Sequence, residues 1–260
     1  MLLFCNICSF SSSYSLLQNR VSAETKQQAG PYRAKMKSAC LQSWCFVVEY
    51  AVIDPETGHC TIIINGVIIM EAKLTRDEAE ALLRKYVKGE HYITHSLAVE
   101  AIMRGLAKRL APDDVEYWGI CGLLHDLDEE TAPWRDDFAT HGPTSAKILQ
   151  EEGYGDPVME NAIMSHNPVC GKNPETTLEY ALIAADPMSG FIKAIAQIYP
   201  DKKVASVKHK SVNKRYKESR FAAGANRQYM MEIEKTGLTW DEFIDIALES
   251  MTEIADKIGL

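Results

Sequence analysis

The pattern of apolar and polar positions divides the chain near residue 70. Upstream, residues 46–53 and 61–69 alternate weakly. They flank Asp54-Pro55-Glu56-Thr57-Gly58, a run suited to a hairpin turn. From Met70 onward the period becomes helical, with clear start and stop signals. Thr75-Arg76-Asp77-Glu78 has the form of a capping box, opening a helix to about Lys88 that Gly89 stops. The spacing predicts further helices over about 91–110, 114–128, 141–152 and 157–166, the last opened by Asp156-Pro157. A helix over 175–185 follows, and Asp186-Pro187 is read as the cap of a separate helix reaching Tyr199. Helices at about 204–218 and 227–235 come next. Thr239-Trp240-Asp241-Glu242 then opens a last amphipathic helix bearing Phe243, Ile244, Ala247, Leu248 and Met251. The fold class expected is all-α: a helical bundle over residues 70–260 with additional C-terminal helices. An extension over residues 1–69, carrying a weak β-hairpin, precedes it.

Composition narrows the function classes. The chain has 260 residues, is 46% hydrophobic and 25% charged, and carries a net charge of −8, which argues against disorder and low complexity. No window approaches the ~18 uninterrupted apolar residues of a membrane span, so no membrane partner is expected. The negative balance also speaks against a nucleic acid polymer as partner. Five of seven cysteines lie before residue 70, leaving Cys121 and Cys170 in the remainder. Two are too few for a disulfide scaffold, which suggests a reducing, cytoplasmic setting. Residues 1–46 hold one acidic residue, Glu24, and a serine cluster at Ser9–Ser13. That is also the composition of an organellar transit segment, and this alternative stands beside the first. Cys5, Cys8, Cys40 and Cys45 are spaced too irregularly to argue a zinc site.

The informative residues are polar ones that helical periodicity places inside. His125 and Asp126 end the apolar run Trp118–Leu124 and share a face with Val115, Trp118, Gly119 and Gly122. His95 lies on a stripe with Val99, Ile102 and Leu106, and Asp186 closes the run Tyr180–Ala185. Burying ionisable groups in such surroundings is costly without compensation, and no Lys or Arg is built in beside them. Imidazole with carboxylate is a ligand set for a divalent transition metal. Asp186, standing before Pro187, also has the form of an N-cap, so its place in the sequence has a purely structural explanation too.

His95, then His125-Asp126, then Asp186 resembles the H…HD…D signature of the HD-domain superfamily, an all-helical group of metal-dependent phosphohydrolases. Leu123-Leu-His-Asp-Leu127 is similar to that family's HD helix. Thr140-His-Gly-Pro-Thr-Ser-Ala-Lys-Ile-Leu149 and Ala162-Ile-Met-Ser-His-Asn167 are similar to the segments giving second-metal histidines in its binuclear members. The resemblance covers about Met70 to Ile258. It implies one metal held by His95, His125, Asp126 and Asp186, and a second held by His141 and His166 with Asp126 bridging. His125 and Asp126 are then the catalytic pair, working through a metal-activated water. Taken singly, His141 and His166 also fit as helix-terminus residues. One or two divalent ions are implied, with manganese, iron or nickel favoured over zinc or magnesium. The implied reaction is hydrolysis of a phosphomonoester or phosphodiester of a nucleotide or other small molecule.

Two positions depart from family patterns. Several HD families place a lysine four residues after the motif histidine, where this chain has Glu129; and Asn167 follows His166, where cyclic-dinucleotide phosphodiesterases have a second histidine. A phosphate-binding cation must therefore come from elsewhere. Residues 202–220 hold eight Lys/Arg and one acidic residue, a net of +7, while the rest of residues 70–260 is near −16. Such a stripe focuses anions, which makes Lys193, Lys208, Lys210, Lys214 and Arg215 candidates for binding a small phosphorylated substrate. A di-iron oxygenase with a similar ligand set, and a non-catalytic metal-binding module, are the alternatives. Oligomeric state is not legible.

Overall fold

A computed structural model describes residues 33–38, 48–53, 60–64 and 67–260, which fall into two compact units, 1–66 and 67–260. In the first unit, strands β1 (Arg33–Ser38), β2 (Val48–Ile53) and β3 (Cys60–Ile64) pair antiparallel in sequence order, with Val52 opposite Thr61 and Tyr50 opposite Ile63. The β2–β3 pairing is the hairpin that the alternation predicts. The expected transit segment and the Cys5/Cys8 cluster lie outside the described residues.

The second unit begins with a short strand, β4 (Val67–Met70), and is otherwise helical. The main helices are α1 (Arg76–Tyr86), α2 (Glu90–Leu110), α3 (Val115–Leu124), α4 (Pro143–Glu151), α5 (Pro157–Ser165), α6 (Thr177–Gln197), α7 (His209–Tyr216), α8 (Arg227–Met231), α9 (Trp240–Glu253) and α10 (Ala255–Ile258). Thr75 and Thr239 make the predicted capping boxes, each accepting from the backbone of a Glu three residues on. The long helices α2 and α6 pack against each other, with α3 and α9 also against α2. Trp118, Tyr117, Phe191 and Phe243 are the largest side chains sealed in the core. Gly122 lets α3 approach α2 closely: a Cβ there would sit 2.9 Å from Met103 Cγ and 3.1 Å from Val99 O. Asp156 caps α5 and also accepts from the buried Tyr117 hydroxyl at 3.0 Å, tying α5 to α3.

Three helix expectations need correction, and two of them shape the site. The helix expected over 114–128 ends at Leu124. Beyond it the Asp128 amide donates to Ser145 Oγ at 3.0 Å, and Leu127, Glu129 and Thr131 make tight bonds three residues back. A side chain on α4 thus takes the hydrogen bond that would have continued the helix. Second, no helix begins at Asp186. α6 runs unbroken from Thr177 to Gln197 with Pro187 inside it. A proline there removes one backbone bond and costs about 3 kcal/mol. Burial of Leu182–Ala185 before it and Met188, Phe191 and Ile192 after it holds the helix together. Third, the helix expected over 204–218 is a short 3-10 turn, Val204–Ser206, followed by α7.

Candidate metal centre

Because α6 is continuous, Asp186 is not an N-cap, and its structural explanation falls away. Its carboxylate instead meets His95 Nε2 at 3.1 Å and lies 3.9 Å from His125 Nε2. Asp126, just past the end of α3, stands at the middle of the cluster. Its Oδ1 lies 3.2, 3.4 and 3.5 Å from the Nε2 atoms of His125, His141 and His166, and its Oδ2 lies 3.4 Å from His95 Nε2. All six residues that the resemblance singles out converge here, from α2, the ends of α3 and α5, the entry to α4, and mid-α6.

The outer nitrogen of every ring is engaged in a way that turns Nε2 inward. His125 Nδ1 donates to Gly122 O at 2.8 Å, and His166 Nδ1 to Ile163 O. His141 Nδ1 donates to Asp128 Oδ1 at 2.8 Å. The Ser189 hydroxyl donates to Asp186 O at 2.9 Å, so the 3.0 Å contact between Ser189 Oγ and His95 Nδ1 assigns the hydrogen to the ring. This is how metal-binding imidazoles are commonly oriented, with Nδ1 held by a carbonyl or carboxylate and Nε2 free to coordinate.

Asp128 and Ser189 were not picked out from the sequence. Asp128 is fully buried, and besides His141 it accepts from the amides of Gly142 at 2.8 Å and Ser145 at 3.3 Å. Gly142 has φ +91, and a Cβ there would press on Ile163 O at 3.2 Å, so only glycine suits this turn. The argument from buried ionisable groups that raised Asp126 applies equally to Asp128, two residues on. Asn167, one of the two departures from family pattern, pins the same turn: its amide donates to Phe138 O and His141 O.

Charge compensation separates this cluster from an ordinary buried acid. Glu100, also buried, is met by Arg76 at 3.0 Å and Arg104 at 3.0 Å. Among the described residues no Lys or Arg pairs with Asp126, Asp128 or Asp186. His125 Nε2 and Asp126 Oδ1 are buried without a hydrogen-bond partner. Groups of His95, His125 and Asp186, and of His125, Asp126 and His166, bring their ligand atoms within 4.8 Å of one another. Nitrogen and oxygen donors so arranged, around orphaned inward-facing atoms, fit divalent metal ions.

Without metal, the acids and imidazoles pair with each other. Burial disfavours charged His95, but Asp126 and Asp186 overcome it and lift the ring to about 10. Against the same opposition from burial, Asp126 and Asp128 lift His141 to about 11. His166 goes the other way, to about 4, through burial and then the charges of His141 and His125. Burial works to raise Asp126, yet the facing imidazoles, His125 first, hold it well below the usual carboxylate range. Burial, and next the Asp126 charge, push Glu129 up to about 7.

The comparisons agree with this geometry. The family model described as HD domain matches residues 92–186. The chain carries an HD domain. The match spans His95 to Asp186, the first and last of the six converging residues. HD-domain proteins are generally metal-dependent hydrolases that bind divalent ions. No curated protein and no solved structure matches the chain.

The five candidate cations do not lie together. Lys193, two helical turns after Asp186 on α6, reaches Thr94 Oγ1 at 3.5 Å, next to His95. Lys208 and Lys210 are exposed at the start of α7 and form no ion pair among the described residues. Lys214 and Arg215 line a cavity with Ile195 and Ile198. Those isoleucines lie nine and twelve residues beyond Asp186, roughly 14–18 Å along α6. His209 is clamped by Asp245 at 2.6 Å and Asp241 at 2.8 Å, fastening α7 to α9.

Proposed function

We propose that this HD domain is a metal-dependent phosphohydrolase acting on a small phosphorylated molecule. The observation that carries the reading is the convergence of four inward-facing Nε2 atoms on Asp126 and Asp186 without a compensating Lys or Arg. His95, His125, Asp126 and Asp186 would hold one ion, and His141 and His166 a second, with Asp126 common to both. Bound divalent ions supply Lewis acidity, polarising phosphoryl oxygens and making water nucleophilic near neutral pH.

The protein's own groups support the chemistry around that centre. Asp128 and Ser189 fix the tautomers of His141 and His95, so the rings stay aimed without reorganising. Glu129 has a carboxyl near neutrality, suited to holding a proton and releasing it to a departing group. Lys193, beside Thr94, is the cation available to a phosphate at the edge of the centre.

The test is phosphate release from a panel of phosphomonoesters and phosphodiesters, run anaerobically with manganese, iron or nickel supplied. Turnover without dioxygen, lost in Asp126→Asn, supports hydrolysis. Dioxygen consumption without phosphate release would replace this reading with an oxygenase.

A further inference from the structure

The basic segment gains a second meaning from its position. Among the described residues, Arg215 is the one Lys or Arg of 202–220 that pairs with an acid, Glu218; the other seven have no ion-pair partner there. Lys214 and Arg215 border a cavity of about 300 Å³, whose walls also include Ile195, Ile198, Tyr199, Pro200 and Ser211. It lies roughly 14–18 Å along α6 from Asp186, farther than a sugar phosphate or mononucleotide spans.

The lining has the parts of an anion-binding pocket. Arg215 is held in place by Glu218 and by its guanidinium lying 5.0 Å over the Phe221 ring, which leaves further N–H donors free. Tyr199 and Ser211 share a hydrogen bond of 2.7 Å between hydroxyls. One of their two protons makes that bond and the other is available to a ligand. Two cations and a hydroxyl donor match the three oxygens of a phosphate dianion. Ile195, Ile198 and Pro200 offer an apolar wall, and Ile198 is half exposed. The volume is at the small end of ligand pockets, sized for a sugar phosphate or mononucleotide. The acidity of the remaining surface disfavours a polyanion.

We propose that this cavity binds a small phosphate ester at a site separate from the metal centre. The inference goes beyond the hydrolase reading and does not depend on it. Because α6 carries both Asp186 and the cavity wall, occupancy there is also placed to bias the centre.

The experiment is calorimetric titration of full-length, chelator-treated protein with ribose 5-phosphate, AMP, adenosine and inorganic phosphate. Chelation keeps the metal centre from contributing. The expected result is binding of AMP or ribose 5-phosphate, at least tenfold weaker binding of adenosine, and at least tenfold loss in Lys214→Glu. Lys214 is exposed, so the variant should fold; Arg215→Lys, with the charge kept and the planar fork removed, should fall between the two. Asp126→Asn should bind as the wild type does. Absence of binding by every phosphate probe would overturn the proposal. So would binding that Lys214→Glu leaves intact, or that Asp126→Asn abolishes.

Discussion

His141 and His166 bring their Nε2 atoms to 3.0 Å from each other while both Nδ1 atoms are committed outward. Two imidazole lone pairs cannot face one another at that distance without positive charge between them. A proton on His141 supplies it in the metal-free protein, and a bound divalent ion would supply it in a loaded one.

Metal should therefore stabilise the fold. Saturation to one hundred times Kd contributes about 2.7 kcal/mol, which for a domain of this size raises Tm by about 5–10 °C. Differential scanning calorimetry with and without chelator measures this. An unchanged Tm in protein shown to bind metal would contradict it.

Loading should also release protons. His95 at about 10 and His141 at about 11 are both charged at pH 7 and must lose Nε2–H to coordinate. Titration in buffers of differing ionisation enthalpy should give roughly two protons per loaded centre, with affinity rising as pH rises. Zero release would show that the rings are already neutral. In the metal-free protein the sign reverses. The raised imidazoles contribute stability that is complete below about 6.5, their unfolded value, and is lost as pH climbs through 10–11. Chelator-treated protein should accordingly lose denaturation midpoint progressively from about pH 6.5 to pH 10–11.

Asp128→Asn should weaken metal binding ten- to a hundredfold, the usual effect of removing a carboxylate that orients a metal-binding imidazole. Competition against a chromophoric chelator reads the change. An unaltered affinity would mean that Asp128 serves the turn alone.

Gly142 and Gly153 both have positive φ, +91 and +83, but only Gly142 is crowded. Gly142→Ala should cost about 2 kcal/mol or more, and Gly153→Ala about 1 kcal/mol. Equal midpoints in urea would remove the close approach to Ile163 from the account.

Lys193→Glu should raise KM for a phosphorylated substrate at least tenfold while metal content stays constant. A change in metal content instead would place Lys193 in the architecture of the centre.

Most of the candidate site was legible because of a rule that sequence exposes: an ionisable residue inside an apolar run must be compensated. That rule finds His95, His125, Asp126 and Asp186. The same rule, carried two residues further, reaches Asp128. Ser189 has no such signal, since a buried serine is ordinary and only its contact with His95 distinguishes it. Capping boxes at Thr75 and Thr239 read directly because cap and acceptor lie three residues apart. Pro187 misled because its cost is local, whereas the burial that outweighs it comes from residues distant in sequence. Where α3 ends was equally hidden, since the hydroxyl of Ser145 on another helix decides it. Lys214 and Arg215 shared a charge run with Lys208 and Lys210, and only the course of α6 separates their cavity from the centre.

The most direct measurement is elemental analysis of purified protein combined with X-ray absorption at the metal edge. The account predicts one or two first-row transition ions per chain in a nitrogen- and oxygen-donor environment, lost in Asp126→Asn. Metal content and spectrum unchanged by Asp126→Asn, or phosphate release by metal-free protein, would contradict it.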